Sequence, residues 1–506
     1  MTFFLVLDVL LAVVGVYLVK NIISRPSTAP YPPGPKGLPL VGNALDMPTS
    51  QEWKTYAQWG NRWGGLVYIN VLGQPFIIVN SLQTAIEMLD KKSSIYSDRP
   101  FFRFSSEIVG WLNTLALTPY GDRFRDYRRM LHSVIGTRMG IGNFHIVEEQ
   151  ETHRFLRRVL QTPDEISGHI RWAAGAIILR ISHGYPVKDN EDPFITNADI
   201  AVDQFSKSAK PGAFLVDFIS WLKYVPEWFP GTQWKQVAKA WKKDLSTMAD
   251  EPHDFVKNQM ASGAALPSFT ATQLERHLTP EQEFNVKWAA ASLYSGGADT
   301  TVSSIYSFFL AMTLHPDARN RAQAEIDAVV GRDRLPTFAD REHLPYTEAL
   351  VQEVFRWQPV VPMGLPHRLI QDDVQEGYII RKGTVVFTNI WKFLHDEETY
   401  PDPMSFDPER FLGPKPQMDP RTVCFGFGRR ICPGLNLADA SVFISCAMTL
   451  AVFDITKAVE NGDVVEPEVE YTSGTISHPK PFKCSIKPRS EKAVTLILSD
   501  GLFGDV

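Results

Sequence analysis

The chain has 506 residues, with 51 Lys+Arg against 57 Asp+Glu and a formal net charge of −6. Hydrophobic residues make up 44% and charged residues 21%, which excludes a disordered, collagen-like or disulfide-framework protein. The acidic balance argues against a nucleic-acid binder, and Cys424, Cys432, Cys446 and Cys484 lack the C-x-x-C spacing of a zinc or redox site.

At the N-terminus, Phe3 to Val19 is apolar apart from Asp8 and Gly15. As a helix it spans roughly 26 Å, close to a bilayer core of ~30 Å. No Lys or Arg precedes the run, whereas Lys20 and Arg25 follow it. That asymmetry favours a retained anchor over a cleaved signal peptide and predicts a cytosolic body. Residues 1–23 are therefore expected to form a transmembrane anchor and 24–43 a proline-rich hinge. Pro32, Pro33, Pro35 and Pro39 make the hinge a semi-rigid spacer.

Further along, 66–79 read as two strands around Gly73-Gln-Pro75, and 377–388 as a second pair broken at Arg381-Lys-Gly383. Helical periodicity marks 81–91, 119–135, 145–160, 235–262, 316–330, 345–357 and 435–452. The chain is predicted to be mainly α with a minor β part. No cut within 44–506 separates two cores, so that stretch is one domain.

One predicted helix is unusually long. Thr279-Pro-Glu-Gln282 forms a capping box with Pro at the first helical position, and the apolar run ends only at His315-Pro316. This gives about 35 residues and ~52 Å, enough to cross the domain. Its central polar break is Gly296-Gly-Ala-Asp299-Thr300-Thr301. Alone, that break also fits a close helix contact, with the Thr hydroxyls bonding back to their own helix.

The loop Phe425-Gly-Phe-Gly-Arg-Arg-Ile-Cys-Pro-Gly434 precedes the predicted helix 435–452. Its glycines permit a tight turn. Arg429, Arg430 and a helix N-terminus all favour a thiolate at Cys432. A dinucleotide fingerprint would need glycine at Ile431, and no Gly-Lys-[ST] follows. A lone Cys at a helix start can equally be a packing residue.

Taken together, these segments resemble the cytochrome P-450 superfamily of haem-thiolate monooxygenases. Phe425-x-x-Gly428-x-Arg430-x-Cys432-x-Gly434 is similar to its haem-binding loop, and Glu353-Val-Phe-Arg356 to its E-x-x-R helix. Pro408-Glu-Arg410-Phe411 resembles the segment whose Arg joins that pair, and Gly296–Thr301 the oxygen-activation motif. The anchor and hinge resemble the microsomal members, and the resemblance spans essentially the whole chain.

The resemblance implies a haem between the long central helix and the Cys-loop helix. Cys432 is its axial thiolate, within a loop bounded by Phe425 and Gly434. Arg128, His367 and Arg430, with Arg99 behind them, are expected to meet the propionates. Asp299 and Thr300 are expected to relay protons to dioxygen, while Glu353, Arg356 and Arg410 are structural. Phe124 stands where the family often has Trp, so an indole N–H donor is missing there.

By the same resemblance, electrons come from NADPH through a membrane-bound flavoprotein reductase, since the chain has no flavin or nicotinamide fingerprint. Arg128, Arg129, Arg421 and Arg429 are the expected basic docking patch. The protein is expected in the endoplasmic reticulum membrane, single-pass, with a cytosolic catalytic domain. Charge-poor stretches at 101–118, 213–230 and 360–365 predict an apolar pocket for a terpenoid, sterol, polyketide or aromatic substrate. Alternatively, 213–230 dips into the membrane surface. Ser97-Asp-Arg-Pro100 and Pro366-His-Arg368 resemble fungal secondary-metabolism members. A haem-thiolate isomerase, dehydratase or peroxide-driven enzyme is a second reading, disfavoured by the Asp299–Thr300 pair. A non-catalytic, membrane-tethered haem protein is a third.

Overall fold

The computed structural model describes residues 29–208 and 213–499. The expected anchor lies outside the described residues. From Pro30 onward the hinge is not a free spacer. Pro33 O accepts from Tyr68 N (2.9 Å), Pro30 O accepts from Ile379 N (2.8 Å), and the Tyr31 and Tyr68 rings lie 4.9 Å apart. Prolines cannot donate to a ladder, but their carbonyls can accept from a sheet edge.

The main sheet holds β1 (Leu66–Val71), β2 (Gln74–Val79), β3 (His367–Arg368) and β4 (Val385–Thr388). Its order is β1-β2-β4-β3, with β2 and β4 parallel. The β1–β2 turn is Leu72-Gly73, both at positive φ, and Gln74 and Pro75 already belong to β2. The expected pair at 377–388 is corrected. Tyr378–Ile380 pairs with Asp373–Gln375, whereas Val385–Thr388 joins the main sheet. Sequence distance suggested a hairpin, but burial against β2 drew the second strand away.

Eight helices frame the site: α1 (Asp122–Ile135), α2 (His145–Gln161), α3 (Ile166–His183), α4 (Pro193–Ser208), α5 (Gln233–Ala261), α6 (Pro280–Leu314), α7 (Pro345–Trp357) and α8 (Leu435–Val452). The capping box at α6 forms as expected: Thr279 Oγ1 accepts from Gln282 N (3.3 Å), and Gln282 Oε1 accepts from Thr279 N (2.9 Å). The predicted helix 81–91 is α-helical only to Ile86 and then widens into a π-turn over Glu87–Lys91.

Helix α3 was not expected. Its run Ile170–Ile181 is almost uninterruptedly apolar and buried, so no 3.6-residue stripe contrasts it with solvent. A Cβ at Gly297 would fall 2.8 Å from Ile178 Cδ1, so this glycine allows α3 to lie close against α6. Helix α8 is long and apolar enough to cross a bilayer, but most of it is buried inside the protein.

The E-x-x-R pair is sealed in the core. Arg356 Nε and Nη2 donate to Glu353 (2.7 and 2.8 Å), and both side chains are fully buried. Arg410 Nε joins at 3.2 Å, and Asp407 N donates to Glu353 at 2.8 Å. The remaining Arg356 donors hold the carbonyls of Leu394, Pro403 and Ser405. This network therefore pins the chain between 394 and 410 beneath the Cys loop.

Candidate active site

Between α6 and the loop before α8 lies a cavity of about 340 Å³. Cys432 lines it, with Phe425, Gly426, Phe427, Arg430 and Gly434. The Cys432 N–H donates to Phe425 O (2.9 Å), closing the loop. Gly428 has φ +54, and a Cβ there would fall 2.1 Å from Leu89 O, so the loop is packed backbone to backbone. Burial pushes the Cys432 thiol up, opposed by the Gly434 N–H and by Arg128.

One rim of the cavity is cationic. Arg99 donates to the carbonyls of Ala116, Leu365 and Pro366 (3.0, 2.8 and 2.7 Å). Arg430 donates to Ser97, Leu115 and Thr118 (2.8, 3.3 and 2.7 Å), and Arg128 to Ile431 (2.6 Å). Among the described residues, none of the three forms a carboxylate salt bridge. Burial and Arg99 push Arg430 down to about 8, and burial pushes Arg99 down to about 10. A cluster so short of negative charge is matched by a ligand bearing carboxylates.

His367 also lines the cavity. Burial, Arg99 and Arg430 hold it far below its ordinary value, and its Nδ1–H donates to Tyr96 O (2.7 Å). It is a neutral member of the rim. The Phe124 ring lies 3.8 Å from the Arg430 guanidinium, so the residue that lacks an indole N–H instead supports a cation.

The central helix presents Gly296, Thr300 and Thr301 to the cavity. Gly296 has nothing within 4 Å of its would-be Cβ, unlike Gly297. Thr300 Oγ1 donates to Gly296 O (2.6 Å). Asp299 is buried but does not line the cavity. Arg171 of α3 donates to its Oδ1 (2.9 Å), and His478 lies 3.0 Å from its Oδ2. Burial pushes the Asp299 carboxyl up, but His478 and Arg171 outweigh it and hold the net value below the usual range.

The substrate stretches are only partly brought together. Trp111, Leu115, Val360, Val361 and Leu365 line the cavity, but no residue of 213–230 does. Phe214 instead stacks on Phe104, with centroids 3.4 Å apart. Ile178, Phe205, Ser292 and Ile476 line the cavity without having been expected. The capping-box helix gave a weak signal for Ser292, whereas the other three depend on tertiary packing.

The expected docking patch is corrected as well. Arg421 is enclosed by Asp419, Glu348 and Asp439, and Arg128 turns inward to the cavity. Only Arg129 and Arg429 of the four are exposed.

A half-buried thiol at a cavity whose arginine rim lacks carboxylate salt bridges is the site of a haem-thiolate protein, and the residues present fit that cofactor. The family model for Cytochrome P450 matches residues 32–486. Cytochrome P450 monooxygenase 208 of Postia placenta is 54% identical, covering 98% of this chain and 98% of that protein. Cytochrome P450 monooxygenase claR of Ampulloclitocybe clavipes is 48% identical over 97% of this chain and 92% of its own length. Cytochrome P450 monooxygenase ppsD of Aspergillus oryzae is 42% identical over 93% and 91%. The chain belongs to the cytochrome P450 family and is a monooxygenase.

Proposed function

We propose that this enzyme inserts one atom of dioxygen into a small apolar molecule, a secondary metabolite such as a terpenoid, with electrons from an NADPH-dependent reductase. The observation that carries the reading is the single cavity in which Cys432, the arginine rim, Thr300 and an apolar wall meet. Bound haem would supply the oxygen-activating chemistry, held through its iron by Cys432, with Gly434 N–H steadying the sulfur. Arg99, Arg128 and Arg430 would hold its propionates, whose negative charge would favour protonation of His367 at Nε2.

Thr300 Oγ1 is a proton donor at the cavity wall and exchanges its Gly296 contact to act. Asp299, held ionised by Arg171 and His478, must first accept a proton from solvent and loosen one of these partners before it can pass that proton to Thr300. The apolar wall excludes water and orients the substrate.

The exposed side chains Trp221, Tyr224, Trp228 and Phe229 support contact with a membrane surface. That placement suits an endoplasmic reticulum protein tethered by residues 1–23 with its catalytic domain in the cytosol. Exposed Arg429, and Arg129 beside its partner Asp126, remain as cations for the reductase to meet.

The test has two parts. The reduced protein with carbon monoxide should show the red-shifted band of thiolate ligation. Product should then form only with NADPH, reductase and dioxygen together. An unshifted band would remove the thiolate, and product formed without an electron donor would remove the monooxygenase cycle.

A further inference from the structure

Hydroxyls along α6 mostly have protein partners. Ser292 Oγ donates to Trp288 O (2.5 Å), Thr300 Oγ1 to Gly296 O (2.6 Å) and Thr313 Oγ1 to Phe309 O (2.8 Å), each four residues upstream. Ser303 Oγ donates to Ser477 O (2.5 Å), and Ser307 Oγ accepts from Tyr471 Oη (2.9 Å). Thr301 and Ser304 break this pattern. They are only 8% and 4% exposed and both line the cavity, yet neither hydroxyl meets a protein donor or acceptor among the described residues.

The two positions are three apart on a helix, so their side chains share one face, with Cβ atoms ~5–6 Å apart. A third hydroxyl lines the same cavity. The segment 471–479 is fastened to α6 at Asp299 by His478, at Ser303 by Ser477 and at Ser307 by Tyr471. That seam at i, i+4 and i+8 carries Thr475 and Ile476 into the cavity wall, and among the described residues the Thr475 hydroxyl likewise has no protein partner. The same cavity is otherwise walled largely by apolar residues, among them Trp111, Ile178, Phe205, Val360 and Leu365, with hydroxyls also at Thr114, Ser292, Ser295 and Thr388. A buried hydroxyl left unpaired in such a wall is unfavourable, whereas one that meets a ligand oxygen is not.

We propose that Thr301 and Ser304, with Thr475, hold an oxygen atom of the substrate. The enzyme takes an apolar skeleton that already bears a hydroxyl or carbonyl group and discriminates against the bare hydrocarbon. This rests on the monooxygenase reading and narrows its substrate class. One substrate oxygen accepts from two of these hydroxyls and, as an alcohol, donates to the third. The anchored oxygen fixes the skeleton's orientation, so the position oxidised lies at a set distance from an existing functional group. The reaction that supplies the substrate must therefore be one that installs oxygen, such as a hydration or an earlier oxygenation.

The experiment uses the haem-loaded full chain and a matched pair of probes, trans-decalin and trans-2-decalol. Dissociation constants are read from the ligand-induced shift of the haem absorption band. In the parent, decalol should bind roughly tenfold more tightly. The double variant Thr301→Val with Ser304→Ala should bring the two probes to within about twofold while decalin binding stays as in the parent. Thr301→Ser, which keeps the hydroxyl, should retain the preference. If decalol gains nothing over decalin in the parent, or the double variant still discriminates, the proposal is wrong. Two hydroxyls that merely order water would give that first result. A parent lacking the thiolate signature with carbon monoxide would instead overturn the monooxygenase reading and this proposal with it.

Discussion

Replacing Gly428 by Ala should dislodge the Cys loop, whereas the same change at Gly426 should not. Both residues are in the left-handed region, at φ +54 and +80. An L-residue there costs about 1–2 kcal/mol in either case. The surroundings differ. A Cβ at Gly426 meets nothing within 4 Å, whereas one at Gly428 falls 2.1 Å from Leu89 O and 3.1 Å from Leu89 C. Ordinary contact is ~3.5 Å, so two backbones must part by more than ~1 Å. No rotamer change can relieve this, because the obstacle is a main-chain oxygen in the π-turn Glu87–Lys91. Overpacking of this kind adds about 1–3 kcal/mol. Gly428→Ala is therefore expected to be less stable than Gly426→Ala by that amount and to lose haem sooner on heating. The assay follows the reduced carbon monoxide band of the parent and both variants during thermal inactivation. Equal haem retention in the two variants would refute the packing argument.

Three further outcomes are expected. Cys432→Ala should abolish the red-shifted carbon monoxide band and turnover together, and survival of either speaks against this residue as the iron ligand. Thr300→Ala should still bind haem but divert NADPH-derived electrons to hydrogen peroxide; an unchanged ratio of product to NADPH consumed would remove its hydroxyl from the mechanism. Glu148, fully buried with Ser441 Oγ donating to it at 2.6 Å, is pushed by burial up to about 8 from an ordinary 4.5. The folded chain thus keeps a proton that the unfolded chain releases. The associated stability is fully present below 4.5 and is lost as pH rises through about 8. The slope is at most about 1.4 kcal/mol per pH unit. Glu148→Gln should flatten the fall in denaturation midpoint across that window, and parallel pH profiles for variant and parent would contradict it.

The sequence alone determined the features written in short, contiguous patterns. The Cys-loop glycines and the capping box of the long helix lie within a few residues of what they act on, whereas the Glu353–Arg356 pair and the arginine candidates came through the family resemblance. Local spacing also placed the ends of α6, α7 and α8 to within about a residue.

Only the tertiary structure decided how those patterns face one another. Helix α3 was hidden because a segment buried on all sides has no polar stripe to set its period. The two strands at 377–388 were separated because burial of β4 against β2 outweighed their nearness in sequence. The family resemblance paired Asp299 with Thr300, yet neighbours on a helix point about 100° apart. The chain folds so that Arg171 and His478 meet the acid on one face while the cavity takes Thr300 on another. Charge behaved the same way. Arg421 and Arg430 look alike in sequence, but Asp419, Glu348 and Asp439 form salt bridges to Arg421, whereas none forms to Arg430 among the described residues, leaving it open to an anionic ligand.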